Sequence, residues 1–255
     1  MNDAADISMG KLREFRHRKI GLALSGGSVR GIAHIGVIKA LTEAGIRPSI
    51  VVGTSVGSLV GAAFAAGMNW QEILQMARDV FWPHLLNGRR LEEFCRKWLP
   101  ESFVDLRVPF AAIATTVHKK QTVVLNSGKL APAISASCAM RVIRRSVSLG
   151  GMRLEDGGTS CVLPSEICRR MGADVVIASG VWEFSALLRG VGVGPAHVHA
   201  RRVYPRQYMN AVSNTDLLVH TDVPLIGYLP GKRSVDRLFA AGEIAANKAE
   251  FIRAF

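Results

Sequence analysis

Residues Ser49–Gly67 read SIVVGTSVGSLVGAAFAAG, and the reading of this stretch decides the fold. A short apolar run, SIVVG, breaks at a glycine-flanked serine and resumes as a small-residue segment that closes at Gly67. Short apolar runs bounded by glycine suit buried strands, and longer ones with a glycine stop suit helices. The predicted order is strand, sharp turn, helix. The uncharged stretch Pro48–Gln71 is long enough to cross a bilayer. Its Ser49, Thr54, Ser55, Ser58 and Asn69 and its four glycines place it inside protein instead.

Upstream, Ile20–Leu24 is a second apolar run. It ends in SGGS and is followed by Ile32, Ile35, Val37, Ile38 and Leu41 near helical spacing, with Gly45 as the stop. Two successive strand–turn–helix units imply a parallel sheet between helical layers. Downstream, Trp70–Val80 and Leu91–Trp98 are predicted helices. Val108–Val117 and Thr122–Leu125 are predicted strands around a turn at His118–Gln121. LPSEICRRMGADVVIAS repeats helix, glycine, strand; Asp216–His220 is a late strand and Arg233–Phe255 a final helix. Leu187–Asn210 is irregular and basic, and is predicted as a long loop. The expected architecture is α/β, a three-layer α/β/α sandwich with a mainly parallel central sheet. It occupies one domain over residues 20–255, after a basic N-terminal arm of residues 1–19.

Composition narrows the function. With 49 % hydrophobic residues over 255 positions, the chain supports a large core, which excludes disorder and coiled coil. Cys95, Cys138, Cys161 and Cys168 form no CxxC pair, so they read as reduced thiols of a cytoplasmic protein rather than zinc ligands. The polar first residues carry no secretory pattern. Lys and Arg number 32 against 20 acids, a net charge of +12. Aromatics are only 7 % and no nucleic-acid module is present, so no nucleic acid is expected. An anionic membrane surface, contacted peripherally, is the better partner for the excess cations.

Three constellations carry chemistry. Gly53–Gly57, GTSVG, is a GxSxG string on a strand-to-helix turn, which fits a nucleophile elbow presenting Ser55 at a helix N-terminus. Ser25–Gly31, SGGSVRG, ends the first strand in a glycine turn whose successive N–H groups form an anion-binding nest. As a dinucleotide fingerprint it lacks the second glycine, and no GK[ST] is present for a Walker loop. As an oxyanion hole it suits a nucleophile on the neighbouring strand end. Asp156-Gly157-Gly158 reads either as a hairpin turn or as the general base for Ser55, which would require burial and a raised pKa.

Together, GLALSGGSVRGIAHIGVIKALTEAGI, IVVGTSVGSLVGAAFAAG and EDGGTSCVLPSEICRRMGADVVIAS resemble the patatin-like phospholipase family. That family has a glycine-rich oxyanion loop, a GxSxG serine and a DGG aspartate in this order. The resemblance runs from Ile20 to Ser179. It implies Ser55 as nucleophile and Asp156 as its partner in a Ser–Asp dyad without histidine. It also implies an oxyanion hole from the amides of Gly26, Gly27 and Ser28. Arg30, Gly31, Gly53, Gly57, Gly157 and Gly158 complete the motifs. The implied activity is serine lipid acyl hydrolysis of phospholipid or another lipid ester, with no metal or cofactor. A lipid-binding or regulatory protein on this scaffold, or an acyltransferase using the same acyl-enzyme, is the alternative. A Ser-His-Asp triad with His197, His199 or His220 is the rival within hydrolases; His34 and His118 read as structural. Ser28 stands where the family has a third glycine. In Ala136–Val147, Arg141, Arg144 and Arg145 replace the family's prolines and aromatic, and are expected near the site, available to lipid phosphate.

Overall fold

Strand side chains alternate between two apolar layers, and that alternation builds the molecule outward. The computed structural model describes residues 18–80, 87–140, 144–181, 207–221, 223 and 231–249. Strands β1 (Ile20–Leu24), β2 (Ile50–Thr54), β3 (Phe110–Thr116), β4 (Thr122–Leu125), β5 (Val147–Leu149), β6 (Met152–Asp156), β7 (Val175–Gly180) and β8 (Leu217–His220) form one sheet. Its order is β5-β6-β3-β2-β1-β7-β8, with β4 also paired to β3. The run β3-β2-β1-β7-β8 is parallel. Strands β4 and β6 pair antiparallel with β3, and β5 with β6.

On one face, Leu22 and Leu24 of β1 and Val51 of β2 join a large core. Its helical side chains include Ile35 and Ile38 of α1 (Ala33–Glu43), Leu59 of α2 (Val56–Ala65) and Ile73 of α3 (Trp70–Asp79). The same core takes in Leu91 of α4 (Gly88–Trp98), Ile134 of α5 (Leu130–Ser137) and Leu238 of α7 (Lys232–Lys248). On the other face, Ala23, Val52 and Ile113 pack with Ile167 and Cys168 of α6 (Ser165–Arg170) and with Tyr208 and Ala211 of the helical residues 207–213. The three layers follow from this period of two, because strands buried on both faces need apolar cover on both. Each fully buried Leu or Ile contributes about 1.5–3 kcal/mol.

Pro48–Gln71 folds as β2, a turn, α2 and the start of α3, and no helix among the described residues is long and apolar enough to cross a membrane. The hairpin reading of Asp156-Gly157 is corrected. Strand β6 ends on Asp156 and continues into a 3₁₀ turn, Gly157–Thr159. The hairpin lies upstream at Gly150 and Gly151, whose φ values of 56° and 75° are what a tight two-residue connection requires. Of the loop predicted over Leu187–Asn210, residues 207–210 are helical. Its remainder, most of the basic arm, Arg141, His197 and His199 lie outside the described residues.

Strand β3 sets up the site. It pairs with β2 as far as Ile113, which faces Thr54, and with β6 from Ala114, which faces Asp156. The ends of β2 and β6 therefore arrive one residue apart along the same strand.

Candidate active site

Ser55 follows the last residue of β2 and is the N-cap of α2, with φ 54° and ψ −125°. A positive φ is costly for a residue with a Cβ, and surrounding contacts must hold it. They do so at very short range. A Cβ on Gly53 would lie 2.2 Å from the Gly57 carbonyl oxygen, and one on Gly57 would lie 2.5 Å from that of Leu24. The two glycines of GTSVG are thus where backbone meets backbone. The Ser58 amide and hydroxyl both donate to the Ser55 carbonyl, at 2.8 and 2.6 Å.

The Ser55 hydroxyl donates to Asp156 Oδ2 at 2.7 Å, a charge-assisted length. The Gly158 amide donates to Asp156 Oδ1 at 2.8 Å, so both carboxylate oxygens are held. Thr115 Oγ1 donates to the Asp156 carbonyl at 3.0 Å. Gly157 passes so close to β3 that a Cβ there would lie 2.1 Å from the Ile113 oxygen. Burial pushes the Asp156 carboxyl up from 3.8 to about 6, partly offset by the Ser55 and Gly158 hydrogen bonds and the Arg144 charge. At neutral pH the group is mainly ionised and accepts the Ser55 hydroxyl.

The glycine turn after β1 lies against the serine: a Cβ on Gly26 would contact Ser55 Cβ at 3.5 Å. Its three amides are not equivalent. Gly26 N–H donates to the Val162 carbonyl at 2.9 Å and is committed to the scaffold. Those of Gly27 and Ser28, at the start of the 3₁₀ helix Ser28–Ile32, have no acceptor among the described residues, as expected of a helix start. Ser28 has φ 55°, so the missing third glycine leaves a serine in left-handed backbone. Arg30 Nε–H donates to the Gly27 carbonyl at 3.2 Å, and Gly31 packs under Val56.

Buried His34 sits beneath this turn. Its Nε2 is 2.9 Å from the Ser25 carbonyl and its Nδ1 2.8 Å from Ser179 Oγ. A carbonyl accepts only, so Nε2 carries the proton and Ser179 donates to Nδ1. Burial drives its pKa down to about 4, which fixes it as a neutral strut. His220 pairs with the Tyr208 hydroxyl at 3.2 Å, and His118 is exposed. No described histidine is bonded to Ser55.

The arginine segment differs from expectation. Arg144 is buried, with Nη2 donating to Ser135 Oγ at 2.9 Å and Nη1 to the Cys138 carbonyl at 3.3 Å. It is turned into the protein, because the end of α5 offers it acceptors, and is not an open phosphate ligand; Arg145 is exposed. Motif reading also missed Ser137. Its hydroxyl accepts from the Ser55 amide at 2.9 Å and donates to the Ile113 carbonyl at 2.6 Å. A serine inside an apolar helix was the available signal. Cys138 lies beside Ser58, and burial pushes its thiol up to about 12, so it stays protonated and is no rival nucleophile. No cluster able to hold a metal is found among the described residues.

The patatin-like phospholipase family model matches residues 22–168, a stretch that contains Ser55, Asp156, Gly26–Ser28, Ser137 and Arg144. The chain belongs to the patatin-like phospholipase family. This patatin-like chain is 31 % identical over 185 residues to lysophospholipase nte1 of Aspergillus fumigatus, covering 64 % of this chain and 12 % of that protein. It is likewise 31 % identical over 190 residues to human patatin-like phospholipase domain-containing protein 6, covering 64 % and 13 %. The chain thus spans 12–13 % of the length of these curated relatives. Among solved structures, VipD from Legionella pneumophila superposes with a TM-score of 0.60 at 13 % identity, over 92 % of this chain and 67 % of VipD. The type III effector protein ExoU superposes with a TM-score of 0.53 at 12 % identity, over 92 % and 53 %. These likenesses show the patatin-like fold.

Proposed function

We propose that this patatin-like chain hydrolyses carboxylic esters of lipids, of the phospholipid or lysophospholipid class, with Ser55 as nucleophile and Asp156 as its only proton acceptor. The observation that carries the reading is the 2.7 Å bond from the Ser55 hydroxyl to Asp156, on a serine held at φ 54°. Asp156 takes the hydroxyl proton as Oγ attacks the acyl carbonyl, and the charge on the carbonyl oxygen falls to the Gly27 and Ser28 amides. Asp156 then gives the proton to the departing alcohol. In the second half it takes a proton from water, which attacks the acyl-enzyme; the fatty acid leaves and Ser55 regains its hydrogen.

The relatives' names, lysophospholipase and patatin-like phospholipase, support the ester class. The net charge of +12 and exposed Arg145 support peripheral docking on anionic lipid. Turnover by wild type and Ser55→Ala, on a short chromogenic ester and on phospholipid vesicles, tests the reading. Activity on both that vanishes in the variant supports it; equal turnover by the two proteins ends it.

A further inference from the structure

The C-terminal end of α5 and the two residues that follow it touch both members of the Ser55–Asp156 pair. Ser137 Oγ accepts the Ser55 amide at 2.9 Å, and the Ala139 carbonyl accepts the Asp156 amide at 2.9 Å. Ser137 is anchored in turn to Ile113 of β3. One helix end therefore brackets the two residues, with Ser137 and Ala139 two positions apart.

Arg144 closes this bracket. Its guanidinium grips Ser135 and Cys138 from below, and its own amide donates to the Met140 carbonyl at 2.7 Å. It also fills the space over the first residue of α4, where a Cβ on Gly88 would meet Nη2 at 2.6 Å. Among the described residues it forms no ion pair, although only 8 % of its surface is exposed. A buried cation without a carboxylate is expensive. The carbonyl end of a helix offsets part of that cost, because the dipole there is negative.

We infer that Arg144 is a positioning residue for the reaction: it ties down the helix end that holds Ser55 and Asp156 together, and supplies that end with its positive charge. The inference rests on the proposed Ser55–Asp156 chemistry. The charged and titratable groups around Asp156 are Arg144, which favours its ionised form, and Glu155, which opposes it and is itself paired with Lys120 at 2.6 Å. The protonated Cys138 thiol lies nearby. Arg144 is thus the described cation whose removal makes Asp156 harder to ionise.

The test compares wild type with Arg144→Met, Arg144→Lys and Ser137→Ala in ester turnover against pH, and titrates the Asp156 carboxyl by carbon-13 NMR. Arg144→Met is expected to lower kcat about tenfold or more with KM within about twofold, the pattern of lost transition-state positioning. Its acid limb and the Asp156 titration should both move to higher pH. Arg144→Lys should restore the limb but only part of kcat, since an ammonium cannot make the forked contacts. Ser137→Ala should lower kcat without moving the limb. An unmoved limb and titration in Arg144→Met, or a loss that Lys does not relieve at all, overturns the inference. If Arg144→Met does not fold, Arg144→Lys and Ser137→Ala decide: wild-type kcat in both rejects it. If wild type turns over no ester, the functional reading fails by itself. The NMR titration then still judges Arg144, for which an Asp156 carboxyl indifferent to Arg144→Lys and Arg144→Met is the negative result.

Discussion

Ser55 and Asp156 stand 101 residues apart in the chain and 2.7 Å apart in space, because β3 receives their two strands in succession. Ile113 faces Thr54 and the next residue, Ala114, faces Asp156. The bond between them sets the first expectation. A fluorophosphonate probe should label wild type and leave Ser55→Ala unlabelled, since Ser55 is the serine hydroxyl that the buried Asp156 carboxylate accepts from. Undiminished labelling of the variant would place the nucleophile elsewhere.

Activity should require ionised Asp156. With its carboxyl near 6, kcat/KM should fall about tenfold for each pH unit below that value and level off above it. Asp156→Asn keeps the shape but cannot accept the proton, so turnover should drop by about 10²–10⁴. A pH profile with an unchanged acid limb in Asp156→Asn would assign the base to another group.

The same burial has a stability cost of opposite trend. A carboxyl displaced from 3.8 to about 6 on folding binds its proton more tightly in the folded state. Its contribution is therefore most favourable below the unfolded value and is lost as pH rises through 6, a difference of about 3 kcal/mol. Asparagine has no such dependence. The melting temperature of Asp156→Asn relative to wild type should rise between about pH 4.5 and pH 8. A constant difference would mean that the carboxyl titrates normally.

Ser28 is a serine in left-handed backbone, φ 55°. Glycine adopts that conformation freely but has a more mobile unfolded chain, so Ser28→Gly should stabilise by about 0.5–1 kcal/mol while retaining the amide and the activity. Urea unfolding measures the first and ester turnover the second. A loss of turnover in Ser28→Gly would show that the side chain takes part.

Docking on anionic lipid should follow the charge. Sedimentation with anionic vesicles should exceed that with neutral ones and weaken as salt shortens the Debye length from about 10 Å at 0.1 M to about 3 Å at 1 M. Salt-independent binding, or equal binding to both lipids, would leave the charge of +12 a matter of solubility.

The sequence by itself determined the parts of this protein that depend on neighbours along the chain. The strands at Ile20–Leu24 and Ile50–Thr54 and the elbow at Ser55 follow from short apolar runs ending in glycine, because backbone period and turn chemistry are local. So does the mainly parallel sheet, since two strand–turn–helix units in a row admit few other arrangements. Tertiary structure decided what depends on register and depth. Whether Asp156 made a hairpin or faced a serine turned on β6 pairing with Ala114, a choice between partners distant in sequence. Which loop amides remained open turned on Val162 reaching Gly26. And an arginine run expected near the site and open to lipid phosphate delivered one guanidinium, Arg144, into the interior. Charge is written in the sequence, but burial is set by which acceptors the packed helix end leaves within reach.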